Sequence, residues 1–313
     1  MKLPAGESLA PHIRKFSLPE TNLFILLIKV LAHMISQTEY SKMSEDIFHI
    51  INSNRRISDV DTSFNKDALY SLHSQIVVRS LKQTSVYGIR DMVFARVQSG
   101  ETLLAIASEM HISSYKLAKV YLDAMYSALP MSKIVQNPAI IQNERLRWDI
   151  LNCIANDSIC SHESSQIQEC MGREYEELLI SMLNRMKMCF ETEADLRLRG
   201  KPKTPDILFL IPMATVVSYM GTEPFVVNWI DSKAMFADVE TYDEHVEQFK
   251  GYTNRYGRGL VIYWHGFHEH ILQLTDESIC VVDQCPTVWI YPTGEIAKLD
   301  DNSLPANRTV ADA

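Results

Sequence analysis

From residue 207 onward the apolar positions fall into short runs bounded by glycine, proline and polar clusters, the pattern of strands. Residues 207–212 (ILFLIP), 225–230 (FVVNWI), 259–266 (GLVIYWHG), 279–283 and 288–291 are the predicted strands. Upstream the spacing lengthens to three and four. Leu178, Leu179, Met182, Leu183 and Met186 form one face of a predicted helix that opens at Gly172-Arg173-Glu174-Tyr175-Glu176-Glu177. Residues 39–52, 56–60 and 66–82 give three more helical segments, separated by polar clusters. Residues 101–110 and 114–125 predict another helix pair, joined by His111-Ile112-Ser113 and restarted at a Ser cap, which is the helix-turn-helix layout. In that layout Leu104, Ala107, Ile112, Leu117 and Val120 are core, and Ser114, Tyr115, Lys116 and Lys119 are exposed at the start of the second helix. Pro130 and Pro138 predict a linker over residues 130–144, and 147–170 reads as helix, polar loop and helix. The fold class expected is α+β. An extension (1–34) precedes an all-α region with two helix-turn-helix-like units (35–145), an α/β domain with a mixed central sheet (146–296) and a disordered tail (297–313).

Charge divides the chain unevenly. Residues 35–150 hold 13 Lys+Arg against 12 Asp+Glu, whereas residues 151–313 hold 13 against 25, so the second half is more acidic than the net charge of −9 for the whole chain. Such a half is a poor general binder of nucleic acid unless cations occupy its carboxylates. The near-neutral first half offers no electrostatic footprint either, which limits Lys116 and Lys119 to phosphate contacts at most. The apolar run at 23–30, interrupted by Lys29, is too short to span a membrane. No secretory signal is recognisable in it, and the six cysteines form no disulfide framework, so a reducing compartment is expected. Cys153, Cys160, His162 and Cys170 fit no zinc-finger spacing and are expected to be structural thiols. His265, His268, Glu269 and His270 are expected at a surface strand end, with His265 able to line a cleft.

The chemistry is concentrated in two short runs, Thr204-Pro205-Asp206 before one predicted strand and Trp229-Ile230-Asp231-Ser232-Lys233 at the end of the next. At the strand period of two, Asp231 and Lys233 share a face. Carboxylates on neighbouring strands suit a hard cation such as Mg²⁺, and the lysine can orient water or steady charge developing on phosphorus. Arg197, Arg199, Lys201 and Lys203 form a basic loop just before Asp206, suited to a phosphate backbone. Gln248 and Tyr252, four residues apart, share a helix face that can look back at the site.

These residues together resemble the PD-(D/E)xK nuclease superfamily, with its restriction-endonuclease-like and Holliday-junction-resolvase-like members. Asn156-Asp157, residues 172–179, Lys203 to Asp206, Trp229 to Ala234, Asn254-Arg255-Tyr256-Gly257 and residues 259–264 look like the codanin-interacting nucleases. The likeness is strong over residues 150–267 and looser over 35–150. It implies a metal-dependent phosphodiesterase of restriction-endonuclease-like fold. Glu176, Asp206, Asp231 and the Ser232 carbonyl would bind Mg²⁺ or Mn²⁺. Lys233 and Gln248 would complete the catalytic set, and Tyr252, Arg199, Lys201, Lys203, Lys116 and Lys119 would contact substrate. It further implies DNA as substrate, a codanin-like protein as partner, no membrane, and a location in the nucleus and secondarily the cytoplasm. Two departures stand out: Asp231 occupies a position where Glu is usual, and the Asp206–Asp231 connection is several residues longer than usual. An inactive nuclease-fold scaffold, or a DNA-binding regulator using the Ser114 helix, are the alternatives.

Overall fold

The computed structural model describes residues 34–53, 64–83, 86–110, 112–126, 130–157, 159–221 and 223–299. The helical segment expected at 56–60, nearly all of the N-terminal extension and the tail from residue 300 lie outside the described residues. In chain order, β1 (Met34–Ile35) leads into helices α1 (Gln37–Ser53), α2 (Lys66–Gln83), α3 (Arg90–Gln98), α4 (Leu103–Glu109), α5 (Ser114–Tyr126), α6 (Met131–Gln136), α7 (Glu144–Ala155) and α8 (His162–Arg185). Then follow β2 (Phe190–Thr192), α9 (Glu193–Leu198), β3 (Ile207–Thr215), β4 (Phe225–Lys233), α10 (Val239–Tyr256), β5 (Gly259–Tyr263), β6 (Phe267–His268), α11 (Ile271–Leu274), β7 (Ile279–Val282), β8 (Val288–Ile290) and β9 (Ile296–Lys298). The class is α+β: helices first, then a mixed seven-stranded sheet. No described helix is long and apolar enough to cross a membrane.

The sheet runs β7-β5-β4-β3-β8-β9, with β2 added on β3. β4, β5 and β7 are parallel and the remaining pairs antiparallel. The crossover from β4 to parallel β5 is α10, as a parallel pair requires. Both faces are covered. Leu179, Leu183 and Met186 of α8 pack with Ile230, Leu260 and Ile262 on one side, and Phe249 and Tyr252 of α10 pack with Trp229, Val261 and Tyr263 on the other. Burial on both faces explains why these strands read as continuous apolar runs rather than alternations.

Two local features aim the site. β3 and β4 shift register between Leu208 and Met213. In β4 the side chains of Phe225 and Val227 lie on the α8 side while Trp229 lies on the α10 side, so the alternation slips at Asn228. Asp231 and Lys233 follow Trp229 at period two and so belong to the α10 side. Gly259 stands opposite Trp229 in the β4–β5 register, and a Cβ there would lie 1.9 Å from the indole. Only glycine lets the tryptophan lie flat over β5 at that point.

Several expected boundaries are displaced, each by tertiary packing. The break at 145/146 cuts a core: α7 packs with α4 and α5 through Leu146, Ile150 and Cys153. The expected linker is part of the same core, since α6 buries Met131 and Ile134, and Ile141 follows them in. α1 and α2 pack instead against Phe236, beyond β4, with Gln75 Nε2 donating to its carbonyl at 2.8 Å and its N–H donating to Ser71 Oγ at 2.9 Å. The expected 35–145 region is therefore two units. Residues 297–299, expected in the tail, belong to the sheet region: Ile296–Lys298 pair with β8 and Leu299 is buried. α8 begins ten residues before Gly172, with Ser161 as its N-cap, so Glu174 and Glu177 are mid-helix and exposed rather than in a first turn.

Candidate active site

Asp206 sits at the end of the loop that enters β3, and four contacts fix it there. The Glu193 N–H donates to the Asp206 carbonyl at 3.0 Å, and Tyr252 Oη donates to the Thr204 carbonyl at 3.1 Å. Pro205 is buried. Across the strand gap, the Ser232 N–H donates to Asp206 Oδ2 at 2.6 Å. That bond ties the Thr-Pro-Asp run to the Asp231-Ser232-Lys233 run, from sequence positions 26 apart.

Asp231 is 1% exposed, and its Oδ2 is ion-paired with Lys233 Nζ. The ammonium also lies 5.9 Å from the centroid of the Phe249 ring. Glu176 approaches from α8, half-buried. Burial, and then Glu193 and Asp231, raise its carboxyl above the usual range. Burial and the Asp231 charge raise Asp206 against the lowering effect of the Ser232 N–H and Lys233. For Asp231 burial outweighs Lys233, and its carboxyl is raised too. Burial pulls the Lys233 ammonium down, but Asp231, Asp206 and Glu176 outweigh it and hold the proton on. One cation faces a surplus of carboxylates in a poorly solvated place, an arrangement that perturbed acids at functional sites share.

That donor set can be tested against a hard divalent cation. Among the described residues no three Asp, Glu, His or Cys side chains converge as a closed metal cage, so the three acids do not stand as a preformed trio. Mg²⁺ needs less: it is commonly held by one or two carboxylates with waters and substrate phosphate completing the shell. Asp206 and Asp231 supply hard oxygens and unbalanced negative charge, and fit that demand. Glu176 stands behind them. Ser232, whose carbonyl is a further expected ligand, sits between Asp231 and Lys233 in register with Ile262.

The substrate contacts expected from sequence divide in two. Gln248 is exposed on α10, and its Nε2 donates to Tyr252 Oη at 2.6 Å. Tyr252 is 3% exposed, packs edge-on against Trp229 at 5.2 Å, and spends its hydroxyl on the Thr204 carbonyl. Its hydroxyl is thus engaged within the chain, where it anchors the loop that carries Asp206. Arg199, Lys201 and Lys203 are exposed on that loop, although Arg199 Nη1 is 2.7 Å from Glu191 Oε1. Lys203 lies across α10 at Gly251, whose missing Cβ leaves room for the lysine stem at 3.3 Å. Lys116 and Lys119 are remote in sequence, on α5. There the expected exposure is only partly met: Lys119 is exposed and Lys116 half-buried, but Ser114 is buried and donates to the Cys153 carbonyl at 2.8 Å. The Tyr115 N–H donates to Asp157 Oδ2 at 3.1 Å. The end of α7 thus covers the start of the would-be recognition helix.

Three residues at the site escaped the sequence reading. Glu193 opens α9 beside Asp206, with Oε1 accepting from Thr204 Oγ1 at 3.2 Å and paired with Arg197 at 2.6 Å. The capping box of Thr192 and Asp195 was a sequence signal for that helix start. His245 lies one turn before Gln248, its Nδ1 3.1 Å from Tyr263 Oη, and burial together with Lys233 pushes its imidazole down to about 4. Arg255 donates to the Pro202 carbonyl and pins the basic loop to α10. Nothing in the local sequence marks His245, and Arg255 stood only within the 254–257 stretch of the family likeness, without a role. The cysteines are free, with Cys153 in the helical core and Cys170 exposed. His265 and His268 are buried rather than at a surface strand end, because Tyr175 and Tyr40 pack on their rings.

Comparison with known proteins adds an independent line. The sequence model of a family described as "Protein of unknown function TPD sequence-motif" matches residues 142–285, which include Thr204-Pro205-Asp206. A Xenopus laevis protein named CDAN1-interacting nuclease 1 is 30% identical over 209 residues, 64% of this chain and 67% of its own length. The Bos taurus protein of the same name is 32% identical over 208 residues, covering 64% and 70%. The Danio rerio protein is 28% identical over 276 residues, covering 81% and 90%. No solved structure matches the chain.

Proposed function

This chain belongs to the CDAN1-interacting nuclease family, and from that premise we propose that it hydrolyses nucleic-acid phosphodiester bonds, DNA in the first place, as a PD-(D/E)xK-type enzyme dependent on Mg²⁺ or Mn²⁺. The observation that carries the reading is the surplus of buried carboxylate around Lys233: Asp206, Asp231 and Glu176 about one ammonium. A structural ion pair needs one acid per base; in this cluster the surplus acids must either hold protons or be met by a cation. Asp206 and Asp231 hold the cation, with Glu176 and the Ser232 carbonyl as supporting donors. Once bound, the cation neutralises phosphate charge and makes a coordinated water more acidic.

The chain's own groups do the rest. Lys233, which keeps its proton, would orient the attacking water by a hydrogen bond and steady the charge developing on a phosphate oxygen. Gln248, at the mouth of the site, positions the phosphate, and Arg199, Lys201 and Lys203 hold the flanking backbone. Tyr252 keeps the Asp206 loop in place. Lys119 and the exposed part of Lys116 add phosphate contacts from the helix-turn-helix-like unit, weakened by Asp157 beside them. The relatives are named for interaction with CDAN1, and the same codanin partner and a nuclear setting, with the cytoplasm beside it, are proposed for this chain.

The test is cleavage of labelled flap, hairpin, single- and double-stranded DNA under Mg²⁺ or Mn²⁺ titration, with wild type and an Asp206→Asn, Asp231→Asn double variant in parallel. Metal-dependent cutting that the folded variant lacks supports the reading. Equal cutting by both removes the site assignment, and no cutting by either favours the inactive scaffold.

A further inference from the structure

A second site lies where α1 and α2 meet the start of α10 and β6. It is a cleft of about 630 Å³, a volume suited to a ligand of several groups. Three carboxylates line it, Asp238, Glu240 and Asp243, against one guanidinium, Arg79. Arg79 is already committed: it holds Asp238 through two hydrogen bonds of 2.5 and 2.8 Å, donates to Thr241 Oγ1 at 2.6 Å, and lies 3.3 Å from the exposed Glu240 Oε2. The cleft is therefore acidic on balance.

A second observation is independent of that charge. His268 lines the same cleft and is 4% exposed. Its Nδ1 accepts the His270 N–H at 3.1 Å, which places the ring proton on Nε2. That Nε2–H has no partner among the described residues. A buried donor without an acceptor is rare in folded proteins, and the ring that carries this one lines the cleft.

The two observations narrow the ligand. A metal ion is a poor fit, because His268 offers a proton rather than a lone pair and no metal-binding trio is found among the described residues. Phosphate would satisfy His268 but would meet three carboxylates and a spent arginine. A peptide satisfies both: a main-chain carbonyl accepts from His268, and a basic side chain meets the exposed acids. We propose that this cleft binds a short basic segment of a partner protein, with its backbone on His268 Nε2 and a lysine or arginine on Asp243 and Glu240. The cleft is distinct from the candidate active site. Val239 and Gln248 are nine residues apart on α10, about 14 Å along its axis.

The experiment uses the full chain and fluorescein-labelled nonapeptides, each carrying three Lys or Arg, beside counterparts with Gln in their place. Anisotropy is read for wild type, a Glu240→Gln, Asp243→Asn double variant, His268→Phe, and a control with equal charge loss elsewhere, Glu277→Gln, Glu295→Gln. The expected result is basic peptides binding and Gln peptides not, with about tenfold weaker binding in the cleft double variant and in His268→Phe but less than about twofold change in the control. Thermal midpoints confirm that each variant folds, and a Glu240→Gln single variant replaces any that does not. No binding by any basic peptide up to about 1 mM, equal loss in the control, or displacement by inorganic phosphate or Zn²⁺ overturns the proposal.

Discussion

Two buried acid–base pairs lie seven residues apart on the same strand-to-helix segment, and they are built on opposite plans. At Arg79–Asp238 every polar atom is matched. The guanidinium holds the carboxylate through two bonds, the Thr241 N–H caps Oδ1 at 2.8 Å, and Tyr40 Oη donates to Oδ2 at 3.3 Å. Burial alone would raise Asp238, but Arg79 and Thr241 outweigh it and leave its carboxyl low. At Asp231–Lys233 one ammonium serves several acids, and Asp206, Asp231 and Glu176 are all raised. A saturated pair fastens α2 to α10; an unsaturated one waits for charge from outside. Burial of an ion pair alone does not separate structure from function, whereas the balance of partners around it does.

The comparison can be broken at several points, the largest effect first. Replacing Asp206 or Asp231 by Asn should lower metal-dependent cleavage by about 10³-fold or more, while urea unfolding of the metal-free protein shows no loss of stability. Arg79→Ala, which leaves Asp238 buried and unpaired, should instead cost about 3–5 kcal/mol of unfolding free energy and leave Mn²⁺ affinity at the other pair unchanged. The two sites should also respond to pH in opposite senses. A carboxyl raised in the folded state ionises first in the unfolded chain, so the stability tied to Asp206 is full below about pH 4 and is lost as pH rises from there. Metal-free Asp206→Asn should therefore be more stable than wild type at neutral pH, the difference fading toward about pH 4. The Asp238 carboxyl is lowered, so its contribution is full at neutral pH and is lost as pH falls below the usual carboxylate range; wild type should exceed Asp238→Asn at neutral pH and converge with it in acid. The smallest effect is Tyr252→Phe, which removes the bond to the Thr204 carbonyl and the one accepted from Gln248, about 1 kcal/mol of stability with a partial loss of cleavage.

The parts of the molecule legible in the sequence were those encoded locally. The runs around Ile207, Phe225 and Leu260 announced strands because burial on both faces leaves no polar position to interrupt them. The proximity of Asp206, Asp231 and Lys233 was legible because each is fixed by its place at one end of a strand. What the sequence concealed depends on contacts distant along the chain. Tyr252 looks like a substrate contact until the Thr204 carbonyl, 48 positions away, is seen to take its hydroxyl. Ser114 looks like an exposed cap until Cys153 and Asp157 close over it. The proline-marked stretch 130–144 reads as a linker although Met131 and Ile134 point into a core assembled from four other helices. Arg79 carried no periodic or motif signal and His268 stood only in a histidine cluster expected at a surface strand end, because their place arises only where α1, α2, α10 and β6 meet.

The central claim is that Asp206 and Asp231 form a cation site held open by unbalanced charge. The direct measurement is calorimetric titration of Mn²⁺ into wild type and into the Asp206→Asn, Asp231→Asn variant at neutral pH, in two buffers of different ionisation enthalpy. Wild type should bind with release of protons, since the raised carboxyls must give them up to the metal, and the variant should show neither binding nor proton release. Equal Mn²⁺ binding by both proteins would contradict the account.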